Sequence, residues 1–134
     1  MRNFEEIREH VASQFELSFD EPYQLSFEYL TADGRTQGMF LGELEAEAGR
    51  RYLRVSTPVA PLSTSDAARA LEFNWAQRVG YLALFELDGE AFLHLCENRP
   101  YTSLDEAEVD SIIREVATLA DRLEQLLRRG EDVV

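Results

Sequence analysis

The sequence predicts an α+β fold, an antiparallel five-stranded sheet flanked by helices in the order α-β-β-β-α-β-β-α, within a single domain over residues 1–134. Three observations carry that prediction. Phe4, Ile7, Val11 and Phe15 recur at the spacing of an amphipathic helix. Tyr23, Leu25, Phe27 and Tyr29 alternate with Gln24, Ser26 and Glu28, the two-residue period of a strand with one buried face. From Asp105 onward, Val109, Ile112, Ile113, Val116, Leu119, Ala120, Leu123 and Leu126 or Leu127 form one continuous helical stripe. A chain of 134 residues buries roughly two thirds of its unfolded surface, enough for one core.

Each element follows from local chemistry. The first helix is expected to end near Phe15, and Asp20-Glu21-Pro22 reads as the break that follows it. After the Tyr23–Tyr29 strand, Ala32-Asp33-Gly34-Arg35 supplies hairpin chemistry, because Asp-Gly takes positive φ readily. Gln37 to Ala48 is the second strand, with Gly38 and Gly42 as candidate bulges or points of close backbone approach. Arg51 to Val59 is the third, and Pro58 and Pro61 are expected to end its ladder.

Ser63-Thr64-Ser65-Asp66 offers capping oxygens for a short helix from Ala67, which carries Leu71, Asn74 and Trp75. Val79 to Leu87 and Glu90 to Cys96 then form a hairpin across Asp88-Gly89. Along its first strand Val79, Tyr81, Ala83, Phe85 and Leu87 share one face and Leu82 and Leu84 the other, so neither face is made for water and both need a cover. Asp105 with Glu108 is an acidic variant of the capping box, opening a final helix expected to end near Gly130.

Composition narrows the function classes. Twenty-six acidic residues against thirteen basic ones give a net charge of −13, which repels nucleic-acid phosphates and anionic lipid. No apolar run approaches the roughly 20 residues of a membrane span, and Met1 to His10 lacks the apolar core of an export signal. The lone Cys96 has no disulfide partner within the chain. A cytoplasmic location is the expectation.

Catalytic chemistry finds few reagents. His94 and Cys96 sit two apart on a strand and Glu97 follows, but His10 is the only other histidine, so a zinc cage would have to borrow carboxylates. No glycine spacing forms a phosphate loop. Neither metal nor cofactor is expected, and the chain reads as a non-enzymatic protein-binding module. Trp75, beside the mid-helix Asn74, is a large side chain of the kind enriched at interfaces.

The order of elements, together with Leu71-Glu72-Phe73-Asn74-Trp75, Gly80-Tyr81-Leu82-Ala83-Leu84 leading to Asp88-Gly89, Phe92-Leu93-His94-Leu95 and Ala120-Asp121-Arg122-Leu123, resembles the type III secretion chaperones of the Tir-chaperone-like family and the YbjN-type domains of the same fold. The resemblance covers nearly the whole chain, and the Asn74-Trp75-Ala76 continuation leans toward the YbjN-type pattern. It implies a secretion-chaperone-like fold and a homodimer whose interface is built by the middle helix and the neighbouring strand, here Leu71, Asn74, Trp75, Tyr81, Ala83 and Phe85. It further implies apolar grooves on the first helix and the first three strands that hold an extended segment of a client, a secreted effector, without ATP. Ile7, Val11, Phe40 and Leu44 are the client-binding candidates.

Two alternatives stand beside this reading. One is a YbjN-type regulatory or structural domain with no secretion client. The other is a small-ligand binder or enzyme using His94, Cys96 and Glu97.

Overall fold

In the computed structural model, which describes residues 1–31 and 34–127, the chain runs α1 (Phe4–Ala12), β1 (Leu17–Glu21), β2 (Gln24–Leu30), β3 (Thr36–Glu45), β4 (Arg51–Pro61), α2 (Ala67–Ala76), β5 (Tyr81–Leu87), β6 (Glu90–Pro100) and α3 (Glu106–Leu127). The strands form one antiparallel sheet in the order β1-β2-β3-β4-β6-β5. The α+β class holds, but the sheet has six strands and not the expected five.

The additional strand is β1, in the segment expected to be a break. Its residues are exposed apart from a half-buried Leu17, and its pairing with β2 slips between Leu17 and Phe19. An edge strand with that little burial leaves almost no hydrophobic alternation to read. Pro22-Tyr23 joins it to β2 in a two-residue turn, Glu21 pairing with Gln24 and neither turn residue at positive φ. Arg8 holds the new strand to α1 through a two-pronged contact with Asp20, Nε to Oδ1 at 2.7 Å and a terminal nitrogen to Oδ2 at 2.6 Å.

α1 stops at Ala12, short of the expected Phe15. Phe15 keeps its apolar role without helical backbone, stacking on Phe27 with ring centroids 4.3 Å apart. At the other end the Asn3 side chain accepts from the Glu6 N–H at 2.9 Å. Asp105 does the same for α3, accepting from the Glu108 N–H at 2.8 Å, which is the N-cap bond of the expected box. The Ala32-Asp33 part of the first predicted hairpin and the α3 terminus near Gly130 lie outside the described residues.

β3 ends at Glu45 rather than Ala48, and β4 and β6 outrun their expected ends, to Pro61 and Pro100. Pro58 fails to stop β4 because the β3 ladder has already ended at the Phe40–Ser56 pair, and a shift between Pro58 and Ala60 absorbs the irregularity on the β6 side. Extending the β3 register puts Gly38 opposite Pro58, which has no N–H to donate. The buried Thr57 hydroxyl donates to the Gly38 carbonyl instead, at 2.7 Å. Gly38 and Gly42 both sit in the regular β2–β3 ladder, so neither is a bulge. The second hairpin turns where expected, Asp88 and Gly89 both at positive φ (53° and 81°) between the paired Leu87 and Glu90.

The helices share one core. Phe4, Ile7 and Val11 of α1, Ala70 of α2 and Val109, Ile112, Val116 and Leu123 of α3 belong to a single buried cluster with Leu25, Phe27, Met39, Leu41, Leu53, Val55 and Leu95 of the sheet. His10 clasps α1 to α3, with Nδ1 2.9 Å from Glu106 and Nε2 2.8 Å from Asp110. α1 and α3 bury their apolar sides in this cluster, and α2 adds Ala70 with Phe73 packed against it, so the opposite face of the sheet has no helical cover among the described residues.

Candidate protein-binding surface

The exposed apolar side chains gather where α2 meets β5. Asp66 caps α2, its carboxylate accepting from the Arg69 N–H at 3.2 Å, and Ala70 and Phe73 turn toward the core. Leu71 and Trp75, one turn apart, therefore point away from it. Trp75 is 93% exposed and Leu71 71%, while on β5 Phe85 is 72% and Leu84 56% exposed. Burying side chains of this size is worth about 1.5–3 kcal/mol each, so leaving Leu71 and Trp75 on α2, and Leu84 and Phe85 on the two faces of β5, in water is a standing cost that a partner chain would remove.

Asn74 ties the helix to the strand. Its Nδ2 donates to the Leu82 carbonyl at 3.1 Å and its Oδ1 accepts from the Leu82 N–H at 2.7 Å. β5 is the terminal strand, so these are edge groups that no ladder satisfies. Strand alternation sends the backbone groups of Leu84 and Glu86 to the same edge, where β5 has no neighbouring strand. α2 thus blocks the edge at Leu82 and leaves it open at Leu84 and Glu86. Gly80 makes the entry to β5 possible: its φ is +84°, and a Cβ there would lie 3.1 Å from Leu95 Cδ1.

The other residues singled out from the sequence divide between the two faces. Tyr81, Ala83 and Phe85 lie on the uncovered face, with the Tyr81 hydroxyl 3.2 Å from Asn98 Oδ1. Phe40, 39% exposed, and the half-buried Leu44 lie on that face too. Ile7 and Val11 do not: both are in the core between α1 and the sheet, fully shielded from solvent.

His94 and Cys96 are on the uncovered face but are packed under their neighbours. The Phe85 ring meets the imidazole edge-on at 6.1 Å, and the Phe85 carbonyl lies 3.3 Å from Nε2. Burial pushes the imidazole below its ordinary value, the bond to the Phe85 carbonyl opposing, and burial pushes the Cys96 thiol up, Arg54 and Tyr81 opposing. The arrangement therefore favours a neutral ring and a protonated thiol. Strand alternation puts Glu97 on the other face, where it pairs with Arg99 and the Arg99 guanidinium also approaches Glu108 of α3. The three residues of the enzymatic alternative are therefore not brought together, and no cluster of His, Cys, Asp and Glu with metal-binding geometry occurs among the described residues.

Neither the edge-capping role of Asn74 nor the open edge beyond it is legible in the sequence, since a side-chain bond to a strand eight residues on has no periodicity of its own. The pairing of a mid-helix Asn with a following Gly and strand was the available signal.

No family model and no curated protein matches the chain. Among solved structures it is similar to a chain of the HopA1–SchA chaperone–effector complex, with a TM-score of 0.61 and 14% identity over 86% of this chain and 85% of that one. At that identity the likeness is one of fold: the chain has a chaperone-like α+β architecture. No helix among the described residues is long and apolar enough to cross a membrane.

Proposed function

We propose that this protein is a non-enzymatic, ATP-independent chaperone-like module that works as a homodimer and holds an extended segment of a client protein. The observation that carries the proposal is the exposure of Leu71 and Trp75 on α2 and of Leu84 and Phe85, on opposite faces, on the edge strand β5 beside it. An isologous contact across this edge that reaches both faces of β5 covers these side chains on both copies. Asn74, Tyr81 and Ala83 border that contact.

The client surface is drawn on the uncovered sheet face around Phe40 and Leu44 rather than on α1, because Ile7 and Val11 are committed to the core. Exposed Phe40 and half-buried Leu44 give that face apolar footholds for the side chains of an extended segment. The chaperone–effector complex of similar fold supports a protein client, here as in that complex.

Purification from the native host with tagged wild-type and Phe40→Arg protein tests the client half. A polypeptide retained by the wild type and lost from Phe40→Arg supports it. A folded dimer that retains nothing contradicts it and fits a YbjN-type domain without a client.

A further inference from the structure

A second surface lies behind the first, in the open groove between α3 and the segment joining α2 to β5. The groove has a volume of about 450 Å³, and Val79, Leu95 and Leu119 give it an apolar floor. Arg114 and Arg122 of α3 stand along its length, with Glu115 the carboxylate that joins them there.

These two arginines differ from most of the others. Arg2, Arg8, Arg35, Arg51, Arg69 and Arg99 each reach a carboxylate within the chain. Arg114 and Arg122 make no ion pair or hydrogen bond among the described residues, although the chain carries twice as many acidic as basic groups, 26 against 13. Arg50, Arg54 and Arg78 also lack an ion pair among the described residues, but of these five only Arg114 and Arg122 line this groove, two guanidinium groups to the one carboxylate of Glu115 over an apolar floor.

We infer that this groove binds an acidic, apolar-centred segment of another polypeptide, with carboxylates seated on Arg114 and Arg122 and apolar side chains on the floor between them. The eight-residue separation on α3 sets the two arginines roughly 12 Å apart at 1.5 Å per residue. An extended chain advances about 3.3 Å per residue, so the matching carboxylates lie four positions apart, with the residues between them able to reach the floor. The groove is too open to enclose a small molecule. A nucleic acid or an anionic membrane, carrying many charges, meets far more repulsion from a molecule of net charge −13 than a short segment with two carboxylates, for which the local attraction of Arg114 and Arg122 outweighs it. The site is separate from the proposed dimer contact and the Phe40 face and holds whether or not the client proposal does.

The test uses a fluorescein-labelled peptide of the pattern Asp-Leu-Val-Leu-Asp and its counterpart with Lys in place of Asp, titrated into the full chain and followed by anisotropy. The acidic peptide binds saturably at low ionic strength, weakens as salt is added, and loses roughly tenfold or more in affinity in the Arg114→Ala/Arg122→Ala double variant. Both side chains are exposed, so circular dichroism of the double variant remains that of the wild type. Absence of saturable binding to the wild type, binding that the double variant leaves unchanged, or equal binding of the lysine peptide overturns the inference.

Discussion

The carboxamide of Asn74 makes both of its bonds to one residue, accepting from the Leu82 N–H at 2.7 Å and donating to the Leu82 carbonyl at 3.1 Å. One side chain thus does for the edge of β5 what a further strand would otherwise do, and fixes where α2 can lie. Asn74→Ala leaves both Leu82 groups unpartnered in a half-buried setting and is expected to cost about 1–3 kcal/mol. Asn74→Asp keeps the acceptor but sets a carboxylate against the Leu82 carbonyl, so it does not restore stability. Urea denaturation of the two variants beside the wild type checks both statements.

Ile7 and Val11 supply a test of the core assignment. Truncating a well-packed Ile to Ala costs about 2–5 kcal/mol. Ile7→Ala is expected to fall in that range, with the unfolding midpoint lowered accordingly. A client-contact residue outside the core would leave the midpoint nearly unmoved.

His94 gives stability a pH dependence of predictable sign. Burial depresses its folded value below the ordinary 6.5, the Phe85 carbonyl working the other way. The unfolded chain therefore binds the proton more readily than the folded one. The contribution is complete above pH 6.5 and is lost progressively as pH falls below it toward the folded value. In wild type minus His94→Gln, unfolding free energy measured from pH 8 to pH 5, near the ordinary imidazole value, is expected to decline on the acid side, cancelling the background of the many carboxylates.

Cys96 is buried, and burial raises its thiol above the ordinary range. Since the thiolate is the nucleophile, iodoacetamide at neutral pH is expected to label the native protein far more slowly than the urea-unfolded chain. Rapid labelling of the native state would reopen the thiol chemistry that the sequence alone leaves as an alternative.

What the sequence discloses follows how strongly burial stamps a period on it. α3 is plain because Val109, Ile112, Val116 and Leu123 all meet the core, and the Asp88-Gly89 turn because two positive φ values require such residues. β1 is hidden because an exposed edge strand needs no alternation, and its Pro22-Tyr23 turn lacks the left-handed residues that announce a hairpin. β4 and β6 outrun their signals because Thr57 supplies the bond that Pro58 cannot.

The site divides the same way. Leu71, Trp75 and Phe85 stand out as apolar groups with no evident interior to fill, and they are exposed. Ile7 and Val11 carry a pattern that a groove and a core would write identically. Glu97 follows Cys96 in the chain yet faces the other way, since a strand separates neighbours across its two faces.

The exposed apolar side chains Trp75 and Leu71 of α2 and Leu84 and Phe85 of β5 are proposed to be covered by a second copy of the chain. Sedimentation velocity of the wild type and of Trp75→Glu across micromolar concentrations tests it most directly. The wild type is expected to sediment as a dimer and Trp75→Glu as a monomer with the wild-type circular dichroism spectrum, because a side chain so fully in water contributes little to the fold. A wild type that stays monomeric over the whole range contradicts it.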